Sequence, residues 1–321
     1  MNRVGLKHIA LNRFPLKHAR DFLSLAQILV RGDVVYQEPL SFKKRLECIG
    51  FYFSADGIRR LQVAPWRAGS RWLQLGMALA LDLANGGDGE YDFENEVFYP
   101  RNGLTFQRLD WRVPTGAAEK MDARTSGPTL GEQHFFAFHH PYSRIRCAAS
   151  KNMKIVVVTR SILALLESQY FKMITDARYP HVTLDDESSF AWDAYLTQAI
   201  EFFNSWGDVL NWHRHIRHCR YEDLKADPVS THKEILDFWG FDVPEDCIAE
   251  GFRRASKKEM LERMSPAEQK RTIRVSTRGT DQRGIISEAR KRHIVDRLNR
   301  ELIYDFGYNL DYDTEYGVAY D

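Results

Sequence analysis

Leu61-Gln62-Val63-Ala64-Pro65-Trp66-Arg67-Ala68-Gly69-Ser70-Arg71-Trp72-Leu73 is a short apolar run that breaks at Pro65 and resumes as a helix. A strand that turns into a helix through a glycine presents free backbone N–H groups at the positive end of the helix dipole. Residues 68 to 71 are the expected donors. Gly69 allows an anion close to the main chain, Arg67 and Arg71 add fixed charge, and Ser70 adds a hydroxyl. The stretch is therefore read as a phosphate cradle, although many α/β proteins use the same strand–turn–helix for packing alone. It is not the nucleoside-triphosphate loop G-x-x-x-x-G-K-[ST], because the first glycine and the lysine–hydroxyl pair are both missing. The dinucleotide fingerprint G-x-G-x-x-G is absent as well.

Outward from the cradle, strand and helix signals alternate. Residues 70 to 84 are apolar almost all round and stop at Asn85-Gly86-Gly87, which predicts a helix buried on several sides. Residues 88 to 134 show no sustained period and are read as loops. Phe135-Phe-Ala-Phe-His-His-Pro-Tyr142 reads as an apolar strand ending in two histidines. Lys154-Ile-Val-Val-Val-Thr-Arg160 is a short β-branched run, apolar on both faces as an interior parallel strand requires. It delivers Arg160 to the carboxyl end of the sheet, the edge where open α/β sheets bind ligands. Helical spacing follows over Ile162, Leu165, Leu166, Gln169, Tyr170 and Met173. Residues 189 to 206 predict a helix stopped at Gly207. His215 to Tyr221 predicts a strand, and Thr231-x-x-Glu234 a capping box opening the next helix. A last helix is expected from Ser287, burying Ile294, Leu298 and Leu302, with Gly307 as its cap.

At 321 residues, 44% hydrophobic and 28% charged, the chain can bury a full core. Two parts are expected: a basic, helical extension over residues 1–59 and an α/β domain over 60–321. A formal net charge of +1 argues against nucleic acid as a partner. The four cysteines form no C-x-x-C pair, so free thiols in a reducing cytoplasm are expected. No apolar run is long enough to span a membrane. The first twenty residues carry five basic residues and no acid, an arm that packs on its own domain or lies on an anionic membrane face. His213, His215, His218 and Cys219 resemble a metal cluster in spacing, but alternate residues of a strand face opposite sides, and no metal is expected.

Taken in order, five stretches resemble the sulfotransferases that use 3′-phosphoadenosine 5′-phosphosulfate (PAPS) as donor and release 3′-phosphoadenosine 5′-phosphate (PAP). Pro65-Trp-Arg67-Ala68-Gly69-Ser70-Arg71-Trp72-Leu is similar to the family's 5′-phosphosulfate loop, Tyr-Pro-Lys-Ser-Gly-Thr-Thr-Trp-Leu. Phe138-His139-His140-Pro141-Tyr142 resembles the segment that carries the catalytic base, which falls on His139 with His140 as rival. Lys154 to Tyr170 resembles the 3′-phosphate motif, implying that Arg160 and Ser168 grip that phosphate. Arg220-Tyr221-Glu222-Asp223-Leu224 resembles the segment whose tyrosine lies by the adenine, and Trp72 is the expected second flank. Ala255 to Met260, then Arg278-Gly279, resembles the closing lid that completes the 3′-phosphate site.

The resemblance implies a P-loop-like parallel sheet flanked by helices on both faces. It also implies sulfuryl transfer to a hydroxyl, or an amine, of a carbohydrate or small molecule. The departures bear on rate and donor affinity. Arg67 stands for the lysine that bridges to the leaving oxygen, and a guanidinium stabilises charge but hardly donates a proton. Arg71 stands for a hydroxyl, Ala137 for a lysine, and Thr277 for a basic residue of the lid. A catalytically weak member that binds PAP, PAPS or a polyanion is the alternative.

Overall fold

The protein is described here from a computed structural model, which covers residues 60–89, 106–108, 135–138, 153–175, 179–263 and 285–308. Side chains are not described for 106–108, 135–138, Arg71 and Arg263. The expected extension over residues 1–59 lies outside this set, and all described residues fall within one compact unit.

Among the described residues, five parallel strands form one sheet: β1 (Arg60–Val63), β2 (Phe106–Arg108), β3 (Phe135–Phe138), β4 (Lys154–Thr159) and β5 (Ile216–Arg220), in the order β2-β3-β1-β4-β5. β1 is central, with Val63 in register with Phe138 on one side and Val157 on the other. The chain leaves β1 toward β2 and β3, then crosses back to β4 and β5. Right-handed crossovers in opposite directions put helices on opposite faces of a sheet. The β4 side chains agree, since Ile155 through Thr159 are all buried, whichever face they point to. The order reverses at β1, so the ends of β1 and β4 flank the topological switch point where such sheets take ligands.

α1 (Ser70–Ala84) follows β1, and α2 (Ile162–Thr175) follows β4. Then come α3 (Trp192–Trp212), α4 (Tyr221–Ala226), α5 (Pro228–Trp239), α6 (Glu245–Arg254), α7 (Lys257–Arg263) and α8 (Glu288–Glu301). α1 packs most closely on α6. A Cβ on Gly251 would stand 2.6 Å from the Ala80 backbone nitrogen, and one on Gly76 would strike the Phe252 ring, so glycines on both helices set the approach. The far end of α5 is tied to the start of the sheet. Arg60 Nε donates to the Trp239 carbonyl (2.9 Å), and Trp239 Nε1 donates to the Lys154 carbonyl (3.1 Å).

Four sequence expectations need correction. β2 lies inside the stretch read as loops; three residues are too short to show a period. α3 does not stop at Gly207 but runs to Trp212; the glycine lets the Tyr304 ring lie close, where a Cβ would stand 2.2 Å from it. α5 opens at Pro228, not at the Thr231 box. The Asp227 carboxylate caps it by accepting from Ser230 N (3.1 Å), while Thr231 Oγ1 donates to the Asp223 carbonyl. α8 is capped by Ser287 as expected, but it ends at Glu301 with Leu302 half-buried, ahead of Gly307. Glu47-Cys-Ile-Gly-Phe-Tyr-Phe53, an apolar run that reads from sequence as a strand, lies outside the described residues.

Candidate functional site

β1 ends at Val63, and the next seven residues turn the chain into α1. Arg67 (φ 65°) and Gly69 (φ 75°) both lie in the left-handed region, and Ala68 between them does not. Alternation of that kind curls successive N–H groups toward one point, a nest for an anion. Gly69 is the N-cap of α1 and brings no side-chain cap. The first internal bond of the helix runs from Leu73 N to Gly69 O (3.1 Å), which leaves the N–H groups of Gly69, Ser70, Arg71 and Trp72 without a backbone acceptor among the described residues. Ala68 differs from expectation. Its N–H turns back to the Pro65 carbonyl (3.4 Å), so the outward donors start at Gly69. From beneath, the fully buried Gln62 donates to the Ser70 carbonyl (3.4 Å) and holds the loop to the sheet.

Three residues expected at the site meet beside this nest. Arg67 Nε donates to Ser168 Oγ of α2 at 3.0 Å, and Arg160 Nη1 donates to the Arg67 carbonyl at 3.1 Å. Arg160 also lies over the Tyr221 ring, 4.8 Å from its centroid. Tyr221 in turn closes against Gly69, where a Cβ would stand 2.4 Å from the ring. Trp72 meets Tyr221 edge-on at 6.1 Å, and its other neighbours are His232 and Phe252, so it sits in a packed aromatic group behind the cradle.

Neither Arg67 nor Arg160 pairs with a carboxylate among the described residues. Burial first, and then the neighbouring Arg160 charge, pull the Arg67 pKa below the ordinary guanidinium value. Two adjacent cations in a half-buried wall are costly until an anion joins them. That is the electrostatic signature of a site for a phosphate-type ligand, and these residues fit one. His139, His140, Arg278 and Gly279 lie outside the described residues, as does the Arg71 side chain. What the structure shows of their surroundings is that β3 ends at Phe138, level with the end of β1.

A second group was not singled out from sequence. Tyr308 OH donates to Glu222 Oε2 (2.7 Å) and lies 3.3 Å from Thr159 Oγ1, which is 2.8 Å from His218 Nε2. Glu222 Oε1 accepts from Ser161 N (3.3 Å), the residue after Arg160. One proton arrangement satisfies the whole chain: His218 Nε2–H to Thr159, Thr159 to Tyr308, Tyr308 to Glu222. Burial, followed by the Arg220 charge, lowers the His218 pKa to about 4, so the ring is neutral. Nothing in the spacing of four residues over 150 positions announces such a group.

The histidine cluster is packed rather than ligating. His213 Nδ1 accepts from His215 N (3.1 Å), His218 serves Thr159, and burial raises the Cys219 thiol to about 12. Among the described residues no three His, Cys, Asp or Glu side chains converge on a metal position, and no helix is long and apolar enough to cross a membrane.

A sulfotransferase domain model matches residues 61–302, three quarters of the chain, so the chain belongs to the sulfotransferase family. Among solved structures it is similar to mouse sulfotransferase SULT7A1 complexed with PAP, with a TM-score of 0.53, 17% identity, and coverage of 79% of this chain and 89% of that one. It is also similar to a retinol dehydratase in complex with androsterone and inactive cofactor PAP, with a TM-score of 0.48, 15% identity, and coverage of 82% and 88%. At these identities the likeness is one of fold. Family membership supports sulfuryl transfer as the general class of chemistry.

Proposed function

We propose that this chain moves a sulfuryl group from PAPS to a hydroxyl, or an amine, of a carbohydrate or small molecule, releasing PAP. The observation that carries it is the pair of guanidinium groups, Arg67 and Arg160, that have no carboxylate partner among the described residues, beside the uncapped start of α1. The mouse relative, which was solved with PAP, supports the same donor.

The donor supplies the sulfuryl group and a phosphate leaving group, so no metal is required. The chain's own residues do three things. The N–H groups of Gly69 to Trp72 stabilise charge that grows on the leaving phosphate, in the manner of a preorganised oxyanion site. Arg160 and Ser168 hold the 3′-phosphate, with Tyr221 stacked against Arg160 and flanking the adenine, and Arg278-Gly279 of the lid completes the grip. His139 accepts the proton of the acceptor oxygen as the new S–O bond forms and the bond to the phosphate breaks. An imidazole with an ordinary pKa near 6.5 suits that step at neutral pH. The acceptor lies against residues 88–134 and 174–190.

The second reading is a member of the family that binds PAP, PAPS or a polyanion and turns over poorly. The arginine at position 67 favours it, since a guanidinium cannot protonate a leaving oxygen. One measurement tests what both readings share, and a second separates them. Thermal shift should show stabilisation by adenosine 3′,5′-bisphosphate and none by ATP with magnesium. Transfer of sulfur-35 from labelled PAPS to lysate fractions should be seen, and should fall by about 100-fold or more in His139→Ala. Retained transfer in that variant would move the base to His140. Binding without any transfer would establish the second reading.

A further inference from the structure

After α8, residues 302–308 run back over α3 and β5 as a strap. Ile303 N donates to Asn204 Oδ1 (2.7 Å), Asn211 Nδ2 donates to the Tyr304 hydroxyl (3.2 Å), and Arg220 Nη1 donates to the Gly307 carbonyl (3.4 Å). The strap ends in a tight turn. Tyr308 N donates to the Asp305 carbonyl (3.1 Å), and both central residues, Phe306 (φ 58°) and Gly307 (φ 77°), are left-handed. Phenylalanine rarely takes that conformation, and its surroundings hold it there: the Phe306 ring lies 5.1 Å from Phe203 and 4.6 Å from His218. The turn delivers the Tyr308 hydroxyl to Glu222 Oε2 at 2.7 Å.

Glu222 occupies a sensitive position. It follows Tyr221, whose ring carries Arg160 at 4.8 Å, and its other oxygen accepts from Ser161 N (3.3 Å), the residue after Arg160. A carboxylate beside guanidinium groups that lack one competes with a ligand's phosphate for them. Building on the donor reading above, we propose that the strap guards the donor site: Tyr308 holds Glu222 against the Ser161 N–H, which fixes the turn that carries Arg160 and keeps the carboxylate from standing in for the 3′-phosphate. Glu222 and Tyr308 are thus positioning residues. The hydroxyl chemistry fits. Burial first, and then the Glu222 charge, raise the Tyr308 pKa, so the phenol keeps its proton. With Thr159 donating to the Tyr308 oxygen and His218 to Thr159, that proton is directed to Glu222.

The direction of this chain can be reversed, and charge can therefore be separated from support. In Glu222→Gln the amide oxygen keeps the Ser161 N–H and the amide N–H donates to Tyr308, while Tyr308, Thr159 and the His218 tautomer turn over in sequence. The turn is kept and the charge is removed. Tyr308→Phe does the opposite, because the charge stays and its holder is lost.

The test is calorimetry with two probes, adenosine 3′,5′-bisphosphate and adenosine 5′-monophosphate, on the full chain, Tyr308→Phe, Glu222→Gln and the double variant. The ratio of the two affinities is the readout, since general damage to the pocket weakens both probes alike; thermal melting without ligand confirms that each protein is folded. Tyr308→Phe should lower the preference for the bisphosphate by about three- to tenfold. Glu222→Gln should not lower it. The double variant should recover most of the loss, although it melts no higher than Tyr308→Phe. A ratio within about twofold of the parent's in Tyr308→Phe, or a double variant no better than Tyr308→Phe, would reduce the strap to structural support and overturn the inference, with the donor reading intact. If Tyr308→Phe does not fold, Glu222→Gln decides: a ratio held or raised supports the inference, and a fall of about threefold or more overturns it. Failure of the unmodified chain to bind the bisphosphate at all would overturn the donor reading, and this inference with it.

Discussion

Gly69→Ala isolates the most constrained point of the cradle. Two costs combine there. At φ 75° an L-residue loses about 1–2 kcal/mol to the clash of its Cβ with the following carbonyl. The new Cβ would also stand 2.4 Å from two Tyr221 ring carbons, so the ring must move, at a further cost of about 1–3 kcal/mol for overpacking. Moving Tyr221 also withdraws the face on which Arg160 rests at 4.8 Å. Gly86→Ala supplies the reference, because its φ is 77° but nothing lies within 4 Å of the Cβ position. It should show the backbone cost alone. Urea melts of the two variants and the parent at pH 7 give both values on one scale, and a domain of this size loses about 2–4 °C in Tm per kcal/mol. Adding Tyr221→Ala to Gly69→Ala should recover most of the excess, since the obstructing ring is gone. If Gly69→Ala costs no more than Gly86→Ala, Tyr221 does not press on the cradle, and the adenine wall described above is misplaced.

Further measurements address the rest of the site. Arg160→Ala should weaken adenosine 3′,5′-bisphosphate by about 1.5–3 kcal/mol, read by calorimetry, if its phosphate bonds are charge-assisted. Tyr308→Phe removes the hydroxyl that donates to Glu222 and should lower stability by about 1–2 kcal/mol in urea melts. Acid should destabilise the fold through His218 and His232, whose pKa values burial lowers to about 4 and about 3. Between pH 6.5 and those values the unfolded chain binds protons that the folded chain refuses, so stability is complete above 6.5 and is lost as pH falls toward 4 and then 3. The His218 share is at most about 3 kcal/mol, and urea melts between pH 7 and 4.5 should show a shallower decline in His218→Gln; an unchanged slope would refute it.

The legible parts of the sequence were those in which one local property decides one local outcome. β4 announces itself by five consecutive buried apolar or β-branched residues, and Arg160 follows by position alone. The cradle is equally local, because Gly69 and the apolar face of α1 are adjacent in the chain. What sequence missed depends on partners far away. Gly207 looks like a helix stop until Tyr304 is known to lie over it, and Thr231 looks like a cap until Asp227 is seen to cap α5 ahead of it. The Tyr308–Glu222 bond joins residues 86 positions apart, and no periodicity encodes it. The resemblance supplied roles for Arg67, Arg160 and Ser168 but not the bond between Arg67 and Ser168, which joins residues 101 positions apart.

That missed group explains why the two arginines of the site remain available. Four residues, Arg220 to Asp223, lie next to the Arg67–Arg160 wall and include two carboxylates that would neutralise it if they were free. Asp223 is held by Arg220 in a two-pronged bond, at 2.9 Å to Nε and 2.8 Å to Nη2, which keeps its pKa below the usual carboxylate range. Glu222 is held by the Tyr308 hydroxyl and the Ser161 N–H, one to each oxygen. Each acid thus has partners of its own, and the ring of Tyr221 faces Arg160 with its π surface instead of a charge. A guanidinium over an aromatic ring is held in place without being neutralised. The sequence Arg-Tyr-Glu-Asp accordingly does electrostatic work in both directions: it disposes of its own negative charge and leaves the positive charge of β1 and β4 for a ligand to satisfy.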